Sequence, residues 1–506
     1  MIFRPTKDGR LWDSWLLLTD EEIHLYYLAN QEGDQRIGHC TSTDMVHWKR
    51  HADILPPHWP FTGMIIPKDD KYFLFVGEAI DGCQTTVLYE STDLENWKRV
   101  KDEPVIRPAL PYYRSENPPW GKTVAWRDPY VFYRPEDGYY HTIICASRPV
   151  TTPDDTGSAL GHARSKDLVN WELLPPIDAP THQLYHAEVP EYFEIDGTHY
   201  IIFTTGSVYG IRLNTPSRRE SVGTYYMIAD SFEGPYHLPE EPLLVGSAFY
   251  KMASYVGRRI VFRGESLMYH HIRDDSSGWF ATWAPPKRLV QLPNRELVLK
   301  YWPGLEALET ADVREGIESV VGGAGEAWSR SGGTLKGRAM AMGQSCILAE
   351  DMDDYHIRVT IKSTKSKRCG LVFRVADNRG IQFSMDYELG QIELGYSRQH
   401  HAVGWGADIT GFVPCGAQRN QQFIHDQYRT TLEHGKEYNV RVFLRDQHLE
   451  AYLDDQWIFT SVFPHAALNG NIEAFVECGE MEIQNLRIAR IEPLGFTEKP
   501  GEIHTT

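Results

Sequence analysis

The chain has 506 residues, a formal net charge of −18 and an aromatic content of 12%. Its length predicts two or more domains, with a sizeable buried core. The acidic balance repels phosphate backbones and anionic headgroups, which argues against nucleic acid and membranes as partners. No run of about 18 apolar residues is present to span a bilayer.

The N-terminus, Met1-Ile2-Phe3-Arg4-Pro5, has no charged-then-apolar leader, so a cytoplasmic protein is expected. From there the first part of the chain reads as strands and turns with an internal repeat. Ser42-Thr43-Asp44-Met45-Val46-His47-Trp48 recurs as Ser91-Thr92-Asp93-Leu94-Glu95-Asn96-Trp97 and as Ser165-Lys166-Asp167-Leu168-Val169-Asn170-Trp171. A weaker copy begins at Ala229-Asp230-Ser231. Each copy reads as a tight turn whose Asp bonds its own backbone and whose closing aromatic packs back on a sheet. An aromatic-rich strand precedes each copy, and a fifth strand, Arg259-Ile260-Val261-Phe262-Arg263, continues the series. Repeats of roughly 50 residues built from short strands predict a β-propeller, here with five blades over residues 1–303. An irregular β-sandwich is the competing architecture.

Residues 304–326 are rich in Gly and charge and read as an exposed linker. Strand alternation returns over residues 327–495, most clearly in Tyr355-His356-Ile357-Arg358-Val359-Thr360-Ile361-Lys362. Several such runs separated by turns predict a C-terminal β-sandwich of jelly-roll or concanavalin type. The fold class is therefore all-β. Seven scattered cysteines without a CxxC pair argue against a disulfide framework or a zinc knuckle.

Three acids stand at the entry to strand blocks: Asp13 in Leu11-Trp12-Asp13-Ser14-Trp15, Asp128 in Trp126-Arg127-Asp128-Pro129, and Glu188 in His186-Ala187-Glu188-Val189-Pro190-Glu191. Singly, each has a plain structural role open to it: an exposed turn, a turn cap beside Arg127, a solvated loop. In a propeller, however, the innermost strands converge on one axial pocket. Acids at equivalent points of the repeat then meet in space, and a carboxyl flanked by aromatics can hold a proton near neutral pH.

These stretches resemble glycoside hydrolase family 32, the β-fructofuranosidases, invertases, inulinases and levanases. Arg127-Asp128-Pro129 matches the family's Arg-Asp-Pro motif. Glu188-Val189-Pro190-Glu191 is similar to its Glu-Cys-Pro-Asp. Leu11-Trp12-Asp13 with His24-Leu25-Tyr26-Tyr27 resembles its nucleophile stretch, Phe61-Thr62-Gly63 its Phe-Ser-Gly element, and Trp283-Ala284 with Leu292-Pro293-Asn294-Arg295-Glu296-Leu297 the stretch that closes its propeller. The Asn before the nucleophile and the Pro-Asn-Gly after it are missing here. The resemblance implies a retaining hydrolase of β-fructofuranosides or a related furanoside, with a small oligosaccharide as substrate and no cofactor or metal. It makes Asp13 the nucleophile, Glu188 the acid/base and Asp128 the transition-state stabiliser with Arg127 beside it. Three like charges in one pocket force at least one carboxyl to stay protonated, and Glu188 is expected to hold that proton. Trp12, Trp15, Trp59, Phe61 and Trp283 are candidates for stacking on sugar, and Thr62 and His186 are further candidate contacts. An inverting enzyme like the family 43 arabinofuranosidases and xylosidases, a fructosyltransferase and a non-catalytic sugar-binding propeller are the alternatives.

Overall fold

The Ser-x-Asp turns are built as self-contained units. Asp44 Oδ1 accepts from the backbone N–H groups of Val46 and His47 at 2.9 and 2.8 Å, Asp93 from Glu95 and Asn96 at 3.0 and 2.7 Å, and Asp167 from Val169 and Asn170 at 2.9 and 2.8 Å. The residue after each Asp (Met45, Leu94 or Leu168) takes a positive φ and donates its N–H to the Ser hydroxyl. The closing indole then donates to that same residue's carbonyl, Trp48 to Met45 at 3.2 Å, Trp97 to Leu94 at 3.1 Å and Trp171 to Leu168 at 2.8 Å. Each turn thus satisfies its own backbone and delivers the chain to the sheet's outermost strand. The weaker copy does not use this pattern: Asp230 reaches Arg295 at 2.5 Å.

The computed structural model describes residues 10–20, 22–31, 34–55, 60–117, 124–206, 213–218, 222–247, 254–274, 280–323, 327–340, 343–377, 379–401, 418–493, 495–496 and 504–505. Antiparallel sheets follow one another along the chain. The first holds β1 (Arg10–Leu18), β2 (Ile23–Gln31), β3 (Asp34–Ser42) and β4 (Lys49–Arg50), and the second β5 (Gly63–Lys68), β6 (Lys71–Ile80), β7 (Cys83–Ser91) and β8 (Lys98–Arg99). The third holds β9 (Trp126–Arg134), β10 (Tyr139–Ser147), β11 (Ser158–Ser165) and β12 (Trp171–Leu174), and the fourth β13 (Glu188–Ile195), β14 (Thr198–Gly206), β15 (Val222–Ala229) and β16 (Leu243–Ser247). The fifth is formed by β17 (Ser254–Phe262), β18 (Glu265–Asp274), β20 (Lys287–Gln291) and β21 (Leu297–Lys300), with β19 (Phe280–Trp283) also paired to β18. The first strands touch in sequence, β1 to β5, β5 to β9, β9 to β13 and β13 to β17, and β17 returns to β1. The five sheets are therefore a ring with their first strands innermost, a β-propeller. Apolar clusters fill the spaces between neighbouring sheets, for example Trp15, Leu17 and Tyr26 against Ile65, Leu74 and Val76.

The chain then forms a β-sandwich. One sheet runs through β33 (Gln456–Val462), β32 (His448–Leu453), β31 (Glu437–Arg445), β26 (Tyr355–Ser363), β35 (Gly479–Ile491), β24 (Thr334–Ala339) and β23 (Trp328–Ser331). The other runs through β25 (Gln344–Met352), β34 (Gly470–Glu477), β27 (Arg368–Ala376), β28 (Arg379–Asp386), β29 (Gln391–His401) and β30 (Gln418–Arg429). Their inner faces share one apolar cluster, as alternating strands require. The stretch expected to be an exposed linker is largely exposed or half-exposed, but it is tied down at several points. Leu305, Leu308 and Ile317 are buried, and β22 (Glu309–Glu315) pairs with β35. Glu309 anchors the stretch through His356 at 2.7 Å, Arg358 at 3.2 Å and Arg487 at 2.6 Å.

The propeller and the sandwich are joined in two ways. β21 pairs with β33 through Lys300 and Gln456, so the fifth sheet continues into the sandwich. Below that seam Lys287 Nζ lies 2.6 Å from Glu450 Oε2, both fully enclosed. The Lys287 ammonium also donates to the Pro285 carbonyl at 2.8 Å and sits 3.0 Å from His270 Nε2. Glu450 accepts from the Tyr452 hydroxyl and from Thr460 Oγ1. A buried pair of this kind is costly to assemble and costlier to halve. Lys287→Met alone, or Glu450→Gln alone, is expected to destabilise the protein by about 3–5 kcal/mol, whereas Lys287→Met with Glu450→Leu loses far less. Thermal unfolding of the three variants against the parent checks this; equal losses in all three contradict it.

Candidate active site

Four of the five inner strands carry the same irregularity at their axial end. Leu11 to Ser14 on β1 spans two partners on β2, and the same slip separates Arg127 from Tyr130, Glu188 from Glu191 and Tyr255 from Arg258. Each is a β-bulge, one extra residue that bends the strand and re-aims its side chains. In three of the four, the first residue of the inserted pair has a positive φ: 60° at Asp128, 48° at Val189 and 52° at Val256. For a β-branched valine this region is strained by about 1–3 kcal/mol. The Val189 N–H is held by Asp128 Oδ2 at 3.1 Å, and the Gly257 N–H by Thr224 Oγ1 at 2.7 Å.

The three acids all lie at these bulges, but not in one slot of it. Glu188 occupies the slot of Arg127 and Tyr255, Asp128 that of Val189 and Val256, and Asp13 that of Pro129, Pro190 and Gly257. The repeat therefore brings them together, as expected, while the differing slots give each its own surroundings. Arg127 Nη2 lies 2.6 Å from Glu188 Oε1, and the Tyr255 hydroxyl donates to Glu188 Oε2. Arg127 Nε stands 3.7 Å from Asp128 Oδ2. Thr62 donates its hydroxyl to Asp13 Oδ2. Gln84 Oε1 accepts from the Trp126 N–H at 3.0 Å and from Arg127 Nη1 at 3.5 Å, which fixes the guanidinium from the second sheet.

Asp128 is 2% exposed, and burial pushes its carboxyl up to about 7. Arg127 opposes that shift, and the charges of Asp13 and Glu188 add to it. Asp128 is thus a carboxyl that holds a proton up to near-neutral pH. Just past the bulges a buried pair underlies the site. Glu191, likewise pushed up to about 7 by burial, lies 3.7 Å from Arg258 Nη1 and accepts from the Arg259 N–H.

The remaining candidates divide. Trp12 is half-buried beside Asp13, Phe61 is half-buried with its N–H donated to the Gly77 carbonyl at 2.8 Å, and Thr62 and His186 are buried. Trp15 is 1% exposed and stacks beside Tyr26 at 6.2 Å between the first two sheets. Trp283, also 1% exposed, meets Tyr27 edge-on at 5.2 Å. Both are core residues, so neither has a face to offer a sugar, and that expectation is corrected. Trp59 lies outside the described residues. Tyr255, Gln84 and Arg258 were missed from the sequence. Aligning the inner strands at their bulges, instead of by acids, puts Tyr255 opposite Glu188. Among the described residues no group of three or more His, Cys, Asp or Glu side chains is placed to hold a metal.

Residues 15–262 match the model described as the glycosyl hydrolases family 32 N-terminal domain. The chain belongs to glycosyl hydrolase family 32. Asp128 and Glu188 fall inside the family 32 match, and Asp13 lies two residues before it. The chain is 22% identical over 336 residues to a sucrose-6-phosphate hydrolase of Zymomonas mobilis, covering 60% of this chain and 61% of that protein. It is 24% identical over 373 residues to an insoluble beta-fructofuranosidase isoenzyme of Arabidopsis thaliana, covering 63% and 60%. It thus spans about three-fifths of the length of the curated relatives it matches. In fold it is similar to fructan 1-exohydrolase IIa from Cichorium intybus in complex with 1-kestose, with a TM-score of 0.65 at 12% identity, covering 98% of this chain and 99% of that one.

The Asp128 environment has a consequence for stability. Its carboxyl keeps a proton that the unfolded chain releases near pH 4, so the native state loses stability as pH rises from about 4 to about 7, and no further above that. Asp128→Asn, uncharged and of equal size, is expected to be more stable than the parent at pH 8 and close to it at pH 4. Unfolding curves at the two pH values check this, and a gain confined to pH 4 contradicts it.

Proposed function

We propose that the chain is a retaining glycoside hydrolase acting on β-fructofuranosides such as sucrose or fructo-oligosaccharides. The observation that carries the reading is the convergence of Asp13, Asp128 and Glu188 at the inner-strand bulges of a family 32 propeller, with Arg127 spanning the last two. A ring of carboxylates suits an oxocarbenium-like transition state, which is positive. In this reading Asp13 attacks the anomeric carbon, with the Thr62 hydroxyl orienting its carboxylate. Glu188 protonates the leaving oxygen and then takes a proton from water as the glycosyl–Asp13 ester is hydrolysed. Asp128 and Arg127 bind sugar hydroxyls and oppose the developing charge. Trp12 and Phe61, both part-exposed, form the apolar wall. The relatives named for sucrose 6-phosphate, fructan and fructofuranoside hydrolysis support this substrate class.

Incubation with sucrose, 1-kestose, inulin, levan and an aryl fructofuranoside, followed by NMR of the first product, tests the reading. Release of β-fructofuranose before mutarotation is expected. Initial product of inverted configuration assigns Asp13 as a base for water, and fructose appearing chiefly on a second sugar makes the protein a transferase. Asp13→Ala is expected to reduce activity to background on every substrate. Glu188→Gln should lower kcat/KM on sucrose by about 100- to 10,000-fold, and by much less on the aryl glycoside, whose leaving group needs no proton. Equal losses on both substrates would move the acid elsewhere.

A further inference from the structure

Asp128 and Glu188 face opposite surroundings. Glu188 gives one oxygen to Arg127 Nη2 at 2.6 Å and the other to the Tyr255 hydroxyl. Two donors, one of them cationic, stabilise a carboxylate in its ionised form. Asp128 accepts the Val189 N–H at 3.1 Å, and its approach to Arg127 is longer, 3.7 Å. It is also the most deeply buried of the three acids. The charged and titratable groups around it are Asp13 on β1, Arg127 on β9 itself, Cys145 on β10 and Glu188 on β13, with Tyr255 on β17 reaching Glu188. The Cys145 thiol is pushed up by burial and stays neutral. Arg127 is the cation of this set, and its short contact goes to Glu188.

We propose that the substrate-free site keeps its proton on Asp128 and leaves Glu188 ionised, so that Glu188 acquires the proton it delivers only when a sugar binds. The second half rests on the hydrolase reading above. Sugar hydroxyls that engage Arg127 and Asp128 draw the guanidinium away from Glu188. The O–H bond on Asp128 then breaks and one forms on Glu188, directly or through a bridging sugar hydroxyl. The charge of the pair is unchanged. Asp128 becomes an anion at the stage when positive charge grows on the anomeric carbon, and Glu188 becomes an acid at the stage when the leaving oxygen needs one. Substrate binding itself therefore arms the site.

Carbon-13 NMR of the whole chain tests this, with aspartate γ-carboxyl and glutamate δ-carboxyl carbons labelled in separate samples and titrated from pH 4 to 9. Without sugar, an aspartate carbon titrating near pH 7 is expected, absent in Asp128→Asn and retained in Glu188→Gln. Glu191 supplies a near-neutral glutamate signal of its own, which must survive in Glu188→Gln. A near-neutral signal lost in Glu188→Gln but kept in Asp128→Asn overturns the proposal. So does a parent protein in which every aspartate has titrated by pH 5, an outcome that needs no variant. With saturating fructose at pH 6, the Asp128 carbon is expected to move to its ionised position and the Glu188 carbon to its protonated one. If fructosides are hydrolysed and neither carbon moves, the transfer is overturned. If no fructoside is hydrolysed, the functional reading fails, and the sugar-free titration still decides where the proton rests.

Discussion

The single extra residue at the axial end of β1, β9, β13 and β17 is the constraint on which the site depends. A regular strand would alternate its side chains between the two faces of its sheet and send every second one away from the axis. The bulge breaks that alternation at one level of the ring. It brings an arginine, three acids and a tyrosine to that level from four different strands. Because the acids sit in different slots of the bulge, they meet different partners, and chemical division of labour follows from a geometric offset. The strain at Val189 and Val256 is the cost of this arrangement, and it is spread over backbone bonds that the site's own groups supply.

The Ser-x-Asp-x-x-x-Trp turns were readable from sequence because every bond in them is local, made within seven residues. They gave the repeat, and the repeat gave the propeller and the meeting of Asp13, Asp128 and Glu188. The bulge slots were not readable, since a register slip is defined by the partner strand and leaves no mark on the strand itself. Tyr255 was hidden for the same reason: it follows no acid and belongs to the copy that lacks its own turn. Trp15 and Trp283 show the opposite failure. Lying beside the motifs in sequence, they face neighbouring sheets in space, and aromatic composition does not tell a stacking surface from a core. The Gly and charge content of the stretch after Gly304 matches its exposure, but its anchoring was not readable, because Glu309 is bound by two arginines and a histidine from strands distant in sequence.

The sandwich is not an independent appendage. Its sheet is continuous with the fifth sheet of the ring through Lys300 and Gln456, and Lys287 with Glu450 places a fully desolvated charge pair across the join. Arg218, from the fourth sheet's loop, adds a cation over the Trp457 ring at 4.5 Å. The apolar cluster that seals the first, fourth and fifth sheets also takes in Phe443, Tyr452, Trp457 and Ile491 of the sandwich.

That cluster matters because of how the ring is closed. Each sheet is made of consecutive strands, and among the described residues no strand is exchanged between the first sheet and the fifth. The junction of β17 with β1 is therefore held by side chains, without the hydrogen-bonded ladder that ties strands within a sheet. Asp13 stands on one side of this junction while Tyr255 stands on the other. The sandwich is rooted on one flank of this seam and packs into the cluster that seals it. Asp13 and Tyr255 thus stand on strands whose common footing reaches into the second domain, and a substitution at Phe443 or Trp457 touches the same packed cluster as Leu11 at the start of the first blade.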